Sequence, residues 1–194
     1  MKTKILTALV VAVVALTSVP MEAFAQNRNP VPTRIQTKAF DRLNRQLQAL
    51  RPGSARAASI ARRMINLVPT AASQVLSIAT TKVTNIRNAQ VLVSVAIQTI
   101  GTFQLTDAEK ANLIVNATFT VSTVAQTIPK IVSSTPAVPQ IGAGANTALA
   151  TDALIRGSAV TNILADPNLD SVVENDAIPR ITELPTPTPV PYGA

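Results

Sequence analysis

Residues 82–100 read KVTNIRNAQVLVSVAIQTI, and residues 110–128 read KANLIVNATFTVSTVAQTI. The two stretches align without a gap at an offset of 28 residues, and nine of the nineteen aligned positions are identical. Similarity at a fixed spacing within one chain indicates an internal duplication. The sequence shows no convincing third copy, so the structure of this repeated stretch decides the fold class.

Helix and strand compete as interpretations of the repeated stretch. Apolar residues recur at helical steps of three and four, as at Ile86, Ala89 and Val93. Alternate residues of 91–97 are also apolar and β-branched, which favours a strand. The segment Thr106-Asp107-Ala108-Glu109 favours the helix, because a Thr-x-x-Glu capping box with acids in the first turn is typical of a helix N-terminus. We therefore predict two helices joined by a short connection, which makes an antiparallel hairpin.

The predicted fold class is all-α: a helical bundle of about four to five helices around a duplicated antiparallel helical hairpin, with a disordered Pro-rich C-terminal tail. The apolar phase continues upstream of the first copy, so one helix is expected to run from about residue 71 to residue 100. A helical domain is predicted at 33–166. Its parts are basic helices at 33–68, the duplicated hairpin at 70–130, a Pro/Gly loop at 131–145 and the last helix at 146–165. An acidic and then Pro/Thr-rich tail is predicted at 167–194.

The first 25 residues are predicted to be a secretory signal peptide. Lys2 and Lys4 precede an apolar run that ends at Pro20, and Ala23-Phe24-Ala25 supplies the small-x-small cleavage pattern. Residues 26–32 follow as a linker. We therefore expect an exported protein that is periplasmic, at the cell surface or extracellular, with an uncleaved membrane anchor as the alternative.

Composition excludes several classes of function. The 194 residues include no Cys, His or Trp, four Phe and one Tyr. Disulfides, thiolate or imidazole metal sites and Ser-His-Asp or Cys-His catalysis are therefore excluded. Modules that stack bases on aromatic side chains are not expected either, so we predict no specific nucleic-acid binding. Because the acids cluster near the C-terminus rather than in an apolar setting, we predict no enzyme, no cofactor and no metal.

Charge is polarised along the chain. Residues 26–66 carry nine basic groups and one acid, whereas residues 146–194 carry two basic groups and six acids. A positive amphipathic segment suits an anionic envelope polymer or lipid head groups, and it equally suits the protein's own acidic end or a solvated surface. The candidate contacts to an anionic ligand are Arg34, Lys38, Arg42, Arg45, Arg56, Arg62 and Arg63.

Two further patterns have simpler interpretations. Asp166-Pro167-Asn168-Leu169-Asp170 has the D-x-N-x-D spacing that opens a calcium loop, but Ser171 replaces the turn glycine and Ala177 replaces the bidentate glutamate. An acidic turn is therefore expected.

Long uncharged stretches such as 111–129 could form a membrane hairpin, but Asn and Gln interrupt them. We expect buried helices that do not span a membrane after signal removal.

Two functional hypotheses follow. The first is an exported, non-enzymatic structural or interaction protein of the cell envelope or extracellular matrix that self-associates. The alternative is a binding module for an anionic envelope polymer or membrane surface, which the basic N-terminal helices would contact.

Overall fold

Eight α-helices and a short 3-10 turn at Pro69–Ala71 make up the ordered elements of residues 34–136 and 147–185, the part of the chain that the computed structural model describes. No strand occurs in these residues. The helices are α1 (Arg34–Gln48), α2 (Arg56–Leu67), α3 (Ala72–Thr80), α4 (Ile86–Gly101), α5 (Asp107–Gln126), α6 (Pro129–Ser133), α7 (Thr147–Ala165) and α8 (Ser171–Thr182).

The prediction of an all-α fold is confirmed, but the prediction of four to five helices is wrong for the described residues. One reason is a break at residues 81–85 in the helix expected from 71 to 100. Thr81 donates its hydroxyl to the Ile78 carbonyl, and the Asn85 side chain accepts from the Asn88 amide as the N-cap of α4. Side chains that bond to the nearby backbone end one helix and begin the next.

Helices α4 and α5 lie in the middle of the fold. Helix α4 contacts α2, α3, α5 and α7, and helix α5 contacts α3, α4, α7 and α8. Both helices bury apolar residues on more than one side, which agrees with their lack of charge along most of their length. Residues 102–106 connect them, and the predicted capping box is present because Thr106 and Glu109 bond to each other's backbone amides.

The two sequence copies do not take identical helical boundaries. Helix α4 begins at Ile86, the fifth residue of the first copy, whereas α5 begins three residues before the second copy. Residues 86–98 and 114–126 are helical in both copies. The end of the second copy, 127–128, lies beyond α5, so the duplication is visible in the sequence but is not a strict structural repeat.

Helix α8 lies within the acidic part of the predicted C-terminal tail, 167–194, so residues 171–182 are helical where a tail is predicted. Asp170 is its N-cap and accepts hydrogen bonds from the amides of Val172 and Val173. Val173, Ala177 and Ile181 recur every four residues and are buried against the rest of the fold. Burial of this apolar face outweighs the local acidity that suggested a tail.

Other predicted segments fall partly or wholly outside the described residues. The predicted loop at 131–145 starts inside helix α6, and residues 137–146 are not described. The predicted signal peptide at 1–25, the linker at 26–32 and the Pro/Thr-rich end of the chain from residue 186 lie outside as well. Within the described part, no helix is both long enough and apolar enough to cross a bilayer.

Candidate functional site

Four of the predicted contact residues form one line along α1. They follow each other at steps of four, four and three residues, which places them on the same face of a helix. The opposite face carries the buried Leu43 and Leu47. All four side chains are exposed. We call this set the basic stripe, and its members are Arg34, Lys38, Arg42 and Arg45.

The remaining three predicted contact residues lie on α2, which packs against α1. Arg56, Arg62 and Arg63 are all exposed. Arg56 and Arg63 are seven residues apart and share a face, whereas Arg62 points away from them by about 100° of helical rotation. Arg62 instead lines a groove between α2, α4 and α7. The structure therefore brings the seven cations onto two contacting helices, but it separates Arg62 from the others.

The orientation of α1 depends on contacts made by its C-terminal end. Lys82 donates from Nζ to the Gln48 carbonyl at 2.7 Å, where a cation complements the unsatisfied carbonyls of a helix end. The Lys82 carbonyl in turn accepts from the Gly53 amide at 2.8 Å. Gly53 has a φ of +89°, a left-handed conformation that favours glycine. These bonds tie α1 and the turn before α2 to the segment between α3 and α4.

No ion pair neutralises the basic stripe within the described part of the chain. Two ion pairs occur there, Arg156 with Asp152 and Arg180 with Asp176, and both lie on α7 or α8. Asp41 is the acid on α1, and it makes no ion pair with the cations on either side of it. The positive charge of α1 and α2 therefore remains available to an external anion.

A polar groove of about 280 Å³ lies beside the basic helices. Its lining combines one guanidinium, one carboxylate, three amide side chains and one hydroxyl. The residues that form it are Arg62, Gln98, Thr102, Asn162, Ala165, Asp166, Pro167 and Asn168. We call it the Asp166 groove. Only Arg62 belongs to the predicted anionic-ligand contacts, because the other residues come from two segments, 98–102 and 162–168, that are distant from it in the sequence.

Asp166 is unusual because only half of its carboxylate is bonded. Oδ1 accepts from the backbone and side-chain nitrogens of Asn168, each at 2.9 Å. Oδ2 is buried and accepts no hydrogen bond from the described residues, and the residue as a whole is only 7 % exposed. An unsatisfied buried acceptor costs about 1–3 kcal/mol, and more when it is charged. Asp166 is therefore the clearest candidate in the described structure for a group that serves a ligand.

The second buried acid, Asp152, is fully engaged and has a structural role. It is 3 % exposed and pairs with Arg156 at 2.9 Å. Ser122 donates to its Oδ1, which joins α5 to α7. Arg156 also donates to the carbonyls of Leu184 at 2.6 Å and Pro185 at 3.0 Å, just after α8. This network connects α5, α7 and the end of α8, and it leaves no carboxylate oxygen for chemistry.

In the acidic turn after α7, one oxygen of each carboxylate of the D-x-N-x-D pattern accepts local hydrogen bonds. Asp166 bonds within its own turn through Asn168, and Asp170 is committed to capping α8. In the described ranges, no group of three or more acidic side chains is placed to hold a metal ion. The sequence interpretation of D-x-N-x-D as a turn therefore agrees with the local hydrogen bonds.

Comparison with known proteins adds no functional assignment. No protein-family model, curated protein or solved structure matches this chain.

Proposed function

We propose that this protein is an exported, non-enzymatic binding protein of the cell envelope or extracellular matrix that holds an anionic polymer or anionic surface through its basic stripe. The observation that supports the proposal is a row of four exposed cations on one face of α1, with no ion pair to the described residues. The two leucines on the opposite face anchor the helix, so the stripe faces outward.

The spacing of the stripe suits a linear polyanion. A helix rises by about 1.5 Å per residue, so neighbouring cations are about 4.5–6 Å apart along the axis and the stripe is about 16 Å long. Repeated anionic groups on a polymer or a lipid surface could pair with several cations at once. The predicted affinity comes mainly from counterion release, so it must fall steeply as salt is added.

The test is a binding titration of the full chain with dextran sulfate, with unsulfated dextran as the neutral probe. A variant with Lys38→Gln, Arg42→Gln and Arg45→Gln should bind dextran sulfate at least about tenfold more weakly and with a shallower salt dependence. The matched control removes three charges elsewhere, with Arg87→Gln, Lys110→Gln and Lys130→Gln, and it should keep most of the affinity. Equal weakening in both variants, or no binding by the unmodified chain, would contradict the proposal.

Head-to-tail self-association is a second candidate function. No ion pair joins the basic helices to α8 in the described residues. Glu183 is exposed near the other end of the chain, as is Asp176, which pairs with Arg180 on its own helix. Opposite charges that do not meet within one chain can meet between two copies. Light scattering of the chain over a range of concentrations should then show growth that salt reverses. A monomer at every concentration would remove this candidate.

A further inference from the structure

We infer that the Asp166 groove binds a small zwitterionic group, with a primary ammonium beside the Asp166 carboxylate and a phosphate or carboxylate beside Arg62. The inference goes beyond polymer binding by the basic stripe, because seven of the eight groove residues lie outside the predicted contact set. The two charged groups of the groove have opposite signs, and they form no ion pair with each other.

Asp166 supplies the anionic half of the site. The Asp166 residue is more than nine-tenths buried and lines the groove, and its buried Oδ2, which lies against Gly101, receives no hydrogen bond from the described residues. A carboxylate only accepts hydrogen bonds, so its complement is a donor, and a charged donor gives the stronger bond. An ammonium is the simplest ligand group that brings both a donor and the opposite charge.

Gly101 allows the carboxylate to occupy this position. A Cβ at residue 101 would lie 2.9 Å from Asp166 Oδ2 and 3.4 Å from Cγ, so a side chain there would displace the carboxylate. Asn168 holds the other oxygen in place through two hydrogen bonds. Asn168 therefore fixes Oδ1, whereas the buried Oδ2 becomes accessible to an ammonium only when the groove lining moves away from it.

Arg62 supplies the cationic half. It is exposed, lines the same groove and makes no ion pair within the described ranges. A guanidinium binds phosphate and carboxylate with two parallel hydrogen bonds, which suits it to the anionic end of a zwitterion. Because Arg62 lies on a different face of α2 from Arg56 and Arg63, it places one positive charge in the groove.

The other lining residues define which ammonium fits. The residues that line the groove include no aromatic side chain, and cages for quaternary ammonium groups are built from aromatic faces. A primary ammonium instead needs hydrogen-bond acceptors, and the lining includes the amide side chains of Gln98 and Asn162. Asn162 Oδ1 already accepts from Ser94, and it keeps a second lone pair. The volume of about 280 Å³ is at the small end of ligand pockets. Ethanolamine-like groups are therefore favoured over choline-like groups.

The test is calorimetric titration of the full chain with four soluble probes: phosphorylethanolamine, β-alanine, phosphorylcholine and inorganic phosphate. Phosphorylethanolamine or β-alanine should bind, whereas phosphorylcholine and phosphate should bind at least about tenfold more weakly.

Arg62→Gln and Asp166→Asn should each weaken zwitterion binding about tenfold or more. The asparagine can still accept from Asn168, so the turn is retained in that variant. Arg63→Gln is the matched control, because it removes the neighbouring cation outside the groove.

Three results would overturn the inference: no binding by either zwitterion, equal binding of phosphorylcholine, or equal effects of Arg62→Gln and Arg63→Gln. Sedimentation with vesicles that contain phosphatidylethanolamine or only phosphatidylcholine distinguishes a lipid head group from a soluble source. The triple stripe variant separates the two proposals, since it should lose dextran sulfate binding and retain zwitterion binding. Failure of one proposal therefore leaves the other standing.

Discussion

Gly101 and Asp166 lie so close together that a Cβ on residue 101 would be 2.9 Å from Asp166 Oδ2. Gly101 is the last residue of α4, and Asp166 directly follows α7. The contact therefore joins the ends of two helices that pack against each other in the middle of the fold. Asn168 restrains the carboxylate, so the carboxylate cannot turn away without losing hydrogen bonds.

We predict that Gly101→Ala lowers the free energy of unfolding by about 1–3 kcal/mol, because the added methyl group overpacks the contact with Asp166. Urea denaturation followed by circular dichroism measures the change. Gly157→Ala is the control, since a Cβ at this helical, exposed position meets nothing within 4 Å. It should raise stability by about 0.5–1 kcal/mol. Equal effects of the two alanines would show that the contact with Asp166 is unimportant.

Removal of Arg156 should be the most damaging single change to the polar network. Arg156→Ala leaves Asp152 buried without its cation and leaves the carbonyls after α8 without a donor. Breaking a buried pair typically costs about 3–5 kcal/mol, so we expect a loss of that size in chemical denaturation. Asp176→Ala breaks the exposed pair on α8 and should cost less than about 1 kcal/mol. A loss below that limit for Arg156→Ala would contradict the structural role of the network.

Calcium should not stabilise this protein. Oδ1 of Asp166 and Oδ1 of Asp170 accept local hydrogen bonds, and no group of three acidic side chains in the described residues is placed to bind a metal. A ligand that binds the folded state raises the melting temperature. We therefore expect the same melting temperature in millimolar calcium and in chelator at equal ionic strength. A rise of several degrees with calcium but not with magnesium would show that the turn binds calcium after all.

The capping box at the start of α5 should contribute measurably to stability. Thr106 accepts from the Glu109 amide, and Glu109 accepts from the Thr106 amide. Thr106→Ala removes the cap and should cost about 1 kcal/mol, whereas Thr106→Ser should cost much less because serine is an equally good N-cap. Thermal and urea unfolding of the two variants measure the difference. Identical stability of the two variants would mean that the cap contributes nothing.

Local patterns predicted the helices at the centre and the start of the fold. The capping box at Thr106 and the three-four spacing of apolar residues identified α4 and α5 against the β interpretation, and the structure confirms helices there. The break at 81–85 was missed because Asn85 caps α4 inside a continuous apolar phase. Periodicity reports which face is buried, and it does not report where a side chain competes for the backbone.

The C-terminal helix shows the opposite error. The acids and prolines after Asp166 predicted a tail, but Val173, Ala177 and Ile181 form a buried stripe once α5 and α7 provide a surface to cover. A short amphipathic helix gains most of its stability from packing, so its own sequence carries a weak signal. The predicted helix count was too low because α8 was missed and because the break at 81–85 divides one expected helix into two.

The sequence by itself determined the helical class, the lack of Cys, His and Trp, and the charge polarity that places a basic stripe on α1. These follow from residue type and from the period of the helix, which act locally. Only the tertiary structure decided that Arg62 and Asp166, separated by more than one hundred residues, line one groove, and that Asp152 is satisfied while Asp166 is not. The reason is physical: burial and unpaired charge depend on which helices meet, and that is settled by packing of the whole chain.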